Sequence, residues 1–225
     1  MSPIRTAILS TPRSGTHFLQ SIFDRRPDTV TYGELNLATN KHIPERKRKQ
    51  LLNILNNSIT DEMKKNTMLV FIWNSDFHTK KASEVPSHVF DKTILLQRKN
   101  KLHQYTSFKI AQKTNNWVGC VSKGKIVLSL SEFKTFLQKS QAVYEQYRKC
   151  ISDYTEVFYE DLCDTDKLKG IMQGIDDFTG VEKLDYSKLE ETPKSLFVKK
   201  QQIRPIPEII INYQDFEQYD KEIIF

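Results

Sequence analysis

Cysteine is scarce. The 225 residues hold three, Cys120, Cys150 and Cys163, widely spaced and with no CxxC pair. That excludes a disulfide framework and a zinc ribbon, and it fits a reducing cytoplasm. With 7 Gly and 8 Pro there is no collagenous, linker-like or Pro-rich tract, and no repeat recurs at a fixed period. Long apolar runs are missing too. The longest, residues 68–73, falls far short of the roughly 20 residues a membrane helix needs, and Ala7, Ile8 and Leu9 are too few for a signal-peptide core. Acidic charge is the minority: 28 Asp and Glu face 34 Lys and Arg, a net +6 with a pI near 9.0. Such an excess favours anionic partners, whether nucleic acid, membrane headgroups or a small phosphorylated or sulfated ligand. What is present, 38% apolar residues including the aliphatic runs, supplies the core of one elaborated cytoplasmic domain spanning 1–225.

Short apolar runs alternate with amphipathic stretches, which predicts an α/β fold: a central, mostly parallel sheet flanked by helices. The expected strands are 6–9, 29–32, 67–73, 93–96 and 156–159. The clearest expected helix is 132–152, with Phe133, Leu137, Tyr144, Tyr147 and Ile151 at three- and four-residue steps and Ser131 as N-cap. Further helices are expected at 16–25, 44–56, 101–112, 167–178 and 208–219. A loop is expected at 117–125, and residues 188–225 read as a carboxyl-terminal arm. The basic run from Arg46 through Lys47 and Arg48 to Lys49 opens an amphipathic segment and reads as a solvated helix face. No nucleic-acid-binding signature accompanies it, and no nucleic-acid partner is expected.

The most informative string is Thr11-Pro12-Arg13-Ser14-Gly15-Thr16-His17, directly after the first strand. A strand, a tight glycine-containing loop and a helix opening at a hydroxyl residue surround an anion with backbone N–H groups and the positive end of the helix dipole. Arg13 adds a fork of donors, and Ser14 and Thr16 add hydroxyls. This P-loop-like nucleotide site is not a Walker A sequence. The phosphate-reaching lysine is absent, and His17 stands where the magnesium-holding hydroxyl would be, so a triphosphate with its metal is a poor ligand.

Residues 12–16 resemble, residue by residue, the 5′-phosphosulfate loop of sulfotransferases that use 3′-phosphoadenosine 5′-phosphosulfate (PAPS). His17 departs from the hydroxyl or small residue usual there. A second segment strengthens the resemblance: an apolar strand runs into Arg98-Lys99, and Gln104, Thr106 and Ser107 follow on a helix. The family holds the 3′-phosphate with such an Arg and Ser, and this version looks most like the bacterial trehalose sulfotransferase group. Arg98 with Thr106, Lys99 with Ser107, and both basic residues with Ser107 are all compatible spacings; Arg98 with Ser107 is carried forward. Val157-Phe158-Tyr159-Glu160-Asp161-Leu162 resembles the family's late strand with its Tyr-Glu-Asp-Leu ending, which implies a structural part. Lys199-Lys200 with Arg204 resembles the arm that closes over the nucleotide, so Lys200 joins the expected cofactor-binding residues Pro12, Arg13, Ser14, Gly15, Thr16, His17, Arg98 and Ser107.

The resemblance implies sulfuryl transfer from PAPS to a hydroxyl of a carbohydrate or another small molecule, with no metal required. Arg13 would stabilise the leaving group. Glu34 would be the general base, on the expectation that the second strand ends beside the first at the ligand-binding edge; His78 is the alternative. Trp117 either lines the acceptor pocket or belongs to the core. Two other readings stay open, a catalytically silent nucleotide-binding protein of the same fold and a P-loop nucleotide kinase. The sequence names neither an acceptor nor an oligomeric state.

Overall fold

Each expected apolar run forms a strand in the computed structural model, which describes residues 2–34, 45, 49, 52–53, 56, 61, 65–74, 87–117, 124–186 and 205–225. The strands are β1 (Ile4–Ser10), β2 (Thr29–Glu34), β3 (Met68–Asn74), β4 (Lys92–Gln97) and β5 (Tyr154–Phe158). They make one all-parallel sheet in the order β2-β3-β1-β4-β5. Parallel strands are covered on both faces, which is why their sequences run apolar without alternation. The helices are α1 (Thr16–Phe23), α2 (Lys101–Thr114), α3 (Leu130–Cys150), α4 (Tyr159–Cys163), α5 (Thr165–Thr179) and α6 (Ile206–Ile209).

On one face of the sheet Ile8, Val70, Ile72, Ile94 and Leu96 pack with Leu19 and Phe23 of α1 and with Met172 and Ile175 of α5. On the other, Ala7, Leu9, Phe71 and Leu95 pack with Tyr144 and Tyr147 of α3. A third cluster joins α2, the first half of α3 and the carboxyl-terminal segment through Leu102, Phe133, Ile206 and Phe216.

The late strand ends at Phe158, and Tyr159 to Cys163, with Glu160 and Asp161 in the first turn, form the short helix α4 instead; three further expectations are corrected. The second strand does not lie beside the first, because β3 intervenes. β3 is apolar from Met68 to Trp73 and buried throughout, so it takes the interior position, whereas β2, only partly buried after Thr29, suits the edge. The N-cap of α3 is Ser129, not Ser131; its hydroxyl accepts from Glu132 N at 3.4 Å, which lets Leu130 start the helix against the third cluster. Residues 208–219 are not one helix. After α6 the Asn212 side chain accepts from Leu128 N and donates to Leu128 O, and Ile210 bridges to Ile126. Those contacts draw the chain out of the helix, and only 3-10 turns follow at Tyr213–Asp215 and Glu217–Tyr219. Of the expected 44–56 helix, Glu45, Lys49, Leu52 and Asn53 are helical, with an exposed Lys49–Glu45 pair at 2.9 Å. Arg46, Lys47, Arg48 and residues 118–123 and 187–204 lie outside the described residues.

From β1 the chain crosses to β2 through α1 on one face of the sheet. From β4 it crosses the opposite way, through α2 and α3, to β5. Connections that diverge from neighbouring strands open a crevice above their carboxyl ends, the usual ligand position in open α/β sheets.

Candidate functional site

The turn after β1 needs two residues in the left-handed region, Arg13 at φ 65 and Gly15 at φ 94. Gly15 is required a second time, since a Cβ there would lie 2.1 Å from Tyr159 Cδ2. Helix α1 opens at Gly15 without a side-chain cap hydrogen bond, and the positive end of its dipole lies at the crevice.

The loop is braced from below. Buried Ser14 donates from Oγ to Thr11 O at 2.8 Å, so what it offers a ligand is its amide. Gln104 Nε2 lies 2.9 Å from Thr11 Oγ1, 2.8 Å from Pro12 O and 2.9 Å from Ser14 Oγ. The Tyr144 hydroxyl donates to Leu96 O at 2.7 Å and accepts from Thr11 N at 3.2 Å. Burial raises this phenol's pKa, with the Ser14 and Thr11 hydrogen bonds acting against the shift.

Arg13 joins the two motifs. Its Nε donates to Ser107 Oγ at 2.9 Å and its Nη1 to Trp117 O. Thr106 is buried and donates back to Leu102 O at 2.7 Å, which leaves Ser107 as the α2 hydroxyl that meets the loop. Arg98 and Lys99 also part company. Lys99 Nζ pairs with Asp161 at 2.9 Å. Arg98 is buried, its guanidinium 5.0 Å over the Tyr159 ring and 3.6 Å from Glu160, beyond hydrogen-bond length. Burial lowers the Arg98 pKa from the usual arginine value, and Tyr159 and Glu160 oppose that. Glu160 instead accepts Lys99 N at 2.7 Å and Asn100 N at 3.1 Å, a structural cap on the β4–α2 link. Tyr159 touches both halves of the site through Gly15 and Arg98 and packs edge-on to Phe18 at 5.9 Å; burial pushes its phenol up to about 12.

Glu34 ends β2. Gly33, at φ 73, sits in a register shift between Thr31 and Glu34 that sets Glu34 opposite Ile72. Because Ile72 pairs with Ile8, Glu34 lies on the α1 face, two strand spacings or about 10 Å from β1. Gln20 of α1 donates to Thr31 at 2.9 Å, which carries His17, one helical turn earlier, toward the same end of β2. Trp117 is 43% exposed, edge-on to Phe108 at 5.9 Å, and so outside the core. His78 and Lys200 lie outside the described residues.

The chain superposes on a mouse sulfotransferase, SULT7A1 complexed with PAP, with a TM-score of 0.57 over 96% of this chain and 82% of that one, at 13% identity. The fold is that of a sulfotransferase. Comparisons with known protein families and with curated proteins give no match. At this identity the sulfotransferase likeness establishes the fold, and the site residues rest on their own geometry. Within this sulfotransferase fold no described helix is long and apolar enough to cross a membrane, and no three His, Cys, Asp or Glu gather as a metal-binding group among the described residues.

The sequence placed Gln104 and Tyr159 in motifs and Tyr144 in a helix stripe, but assigned none of them, nor Lys101, to the site. The first and last were legible as partners of Ser107 at three-residue steps on one helix. Tyr144 carried no signal beyond its place in an apolar stripe.

Proposed function

We propose that the chain is a sulfotransferase that moves a sulfuryl group from PAPS to a hydroxyl of a carbohydrate or other small molecule in the cytoplasm. The observation that supports this most is the Arg13–Ser107 contact, which gathers the loop after β1 and the helix after β4 at one crevice. Two groups of donors there match a nucleotide with two separated anionic ends. The buried Arg98 Nε, which has no hydrogen-bond partner among the described residues, is a donor suited to an anion.

In this reading Pro12 shapes the loop. Arg13, Thr16 and the amides of Ser14, Gly15 and His17 hold the 5′-phosphosulfate, Arg98 and Ser107 hold the 3′-phosphate, and Lys200 is assigned to the same nucleotide. The bound nucleotide supplies the sulfuryl electrophile. Arg13 and the first amides of α1 stabilise charge on the leaving oxygen. A Glu34 carboxylate oxygen takes the acceptor's proton, with His78 as the alternative base, and Trp117 offers its exposed ring to the acceptor. A nucleotide-binding protein without transferase activity is the second reading, favoured by the two strand spacings between Glu34 and β1.

Titration calorimetry with adenosine 3′,5′-bisphosphate in a chelating buffer tests the nucleotide site. Magnesium-independent binding is expected, abolished in Arg98→Ala, weakened in Ser107→Ala and kept in Thr106→Ala. No binding, or full binding in Arg98→Ala, sinks the reading. Transfer from labelled PAPS across an acceptor panel separates enzyme from silent binder, and undiminished transfer in Glu34→Ala would remove Glu34 as the base.

A further inference from the structure

Helix α2 brings Lys101, Gln104 and Ser107 toward the loop after β1 at three-residue steps. Gln104 and Ser107 touch the loop. Lys101 does not: it is 0% exposed, and its Nζ has no hydrogen-bond partner among the described residues. Aromatic faces stand in, with Nζ 5.4 Å from the Tyr144 ring centre and 4.6 Å from that of Phe225. The hydroxyl of that same Tyr144 accepts the Thr11 N–H of the loop, so one ring separates the ammonium from the anion cradle.

No carboxylate forms an ion pair with Lys101 among the described residues, and the Phe225 backbone oxygen, on the residue whose ring packs against Nζ, accepts from Arg148 at 2.6 Å. Arg98 on the β4–α2 link and Arg148 on α3 repel it, and Glu160 on α4 attracts it. Glu160 already accepts two backbone amides, and Glu156 of β5 pairs with Arg148 at 2.6 Å. On the carboxyl-terminal segment Asp220 lies 3.2 Å from His103 and Glu222 3.9 Å from Lys99. Lys101 also opens its helix, where the dipole disfavours a cation.

We propose that Lys101 couples nucleotide binding to proton uptake: the anion held by the loop is the counter-charge this buried amine lacks, so Nζ takes a proton from solvent on binding and returns it on release. The inference rests on the nucleotide reading above and adds a residue that acts without touching the ligand. Burial, with Arg98 and Arg148, pushes the Lys101 pKa down to about 8 although Glu160 pulls the other way. At a separation of roughly 10 Å and an effective dielectric of about 20, two negative charges would favour the ammonium by on the order of a hundredfold.

The test is titration calorimetry of the full chain with adenosine 3′,5′-bisphosphate at pH 8 in buffers of different ionisation enthalpy. The ligand's phosphates, with a second pKa of about 6, are fully ionised there. Wild type should take up roughly half a proton per nucleotide, and more at pH 9. Lys101→Met should show no uptake and at least tenfold weaker binding. Lys101→Arg, charged throughout, should bind without uptake. Wild-type binding with no proton uptake overturns the proposal whether or not the variants fold, as does unchanged uptake in Lys101→Met. No wild-type binding at all removes the nucleotide reading itself, and the coupling with it.

Discussion

Replacing Lys101 by methionine should stabilise the unliganded protein. The amine is fully buried without a hydrogen-bond partner among the described residues, and its pKa falls from 10.5 to about 8. That difference corresponds to roughly 3 kcal/mol of unfavourable burial for the charged form. The sign follows from linkage. Between about pH 8 and 10.5 the unfolded chain binds more protons at this residue than the folded one, so this contribution to stability rises with pH across that window and is flat, at its least favourable, below it. Methionine fills a similar volume, keeps contact with the Tyr144 and Phe225 rings and has no charge to desolvate. At pH 7 the variant should gain up to about 3 kcal/mol, on the order of 5–10 °C in Tm for a chain of this size. The gain should shrink toward zero near pH 10. Urea and thermal denaturation of both proteins at pH 7, 8.5 and 10 read this directly. A variant less stable than wild type at pH 7, or a difference that does not change with pH, would refute the reasoning.

Two further substitutions probe the frame of the site. Gly15→Ala should destroy the loop, because the new Cβ meets Tyr159 at 2.1 Å and φ is 94. Adding Tyr159→Ala should recover part of the lost Tm but leave about 1 kcal/mol of backbone strain; strictly additive losses in melts of the double variant would deny the contact. Asp176→Ala should cost about 3–5 kcal/mol in urea denaturation, since it strips the 2.7 Å partner from an Arg26 side chain that is 0% exposed. A loss under about 1 kcal/mol would show that Asp28 and the Tyr186 hydroxyl satisfy Arg26 without it.

Much of this protein was legible in one dimension. Strands covered on both faces must be apolar throughout, so the runs at β1, β3 and β4 stood out. The loop after β1 announced itself because glycine, a following hydroxyl and an adjacent strand are local requirements of an anion cradle. The choice between Thr106 and Ser107 was not legible. Both lie on the same helix, and which one meets Arg13 depends on the rotation of α2 about its axis, fixed by Leu102, Tyr105 and Ile110 in a distant cluster. The same rotation buries Lys101 and points Gln104 at three atoms of the loop.

Residue order by itself determined the fold class, the loop, and the presence of a basic pair with a hydroxyl after β4, because each follows from neighbours within a few positions. Only the tertiary structure decided that β3 separates β2 from β1, that Arg13 reaches Ser107 from 94 residues away, and that Tyr159 rather than a bare strand end packs on Gly15. Those outcomes depend on which apolar run wins the interior of the sheet and on how helices roll to bury their stripes, a competition among all elements at once that no single segment encodes.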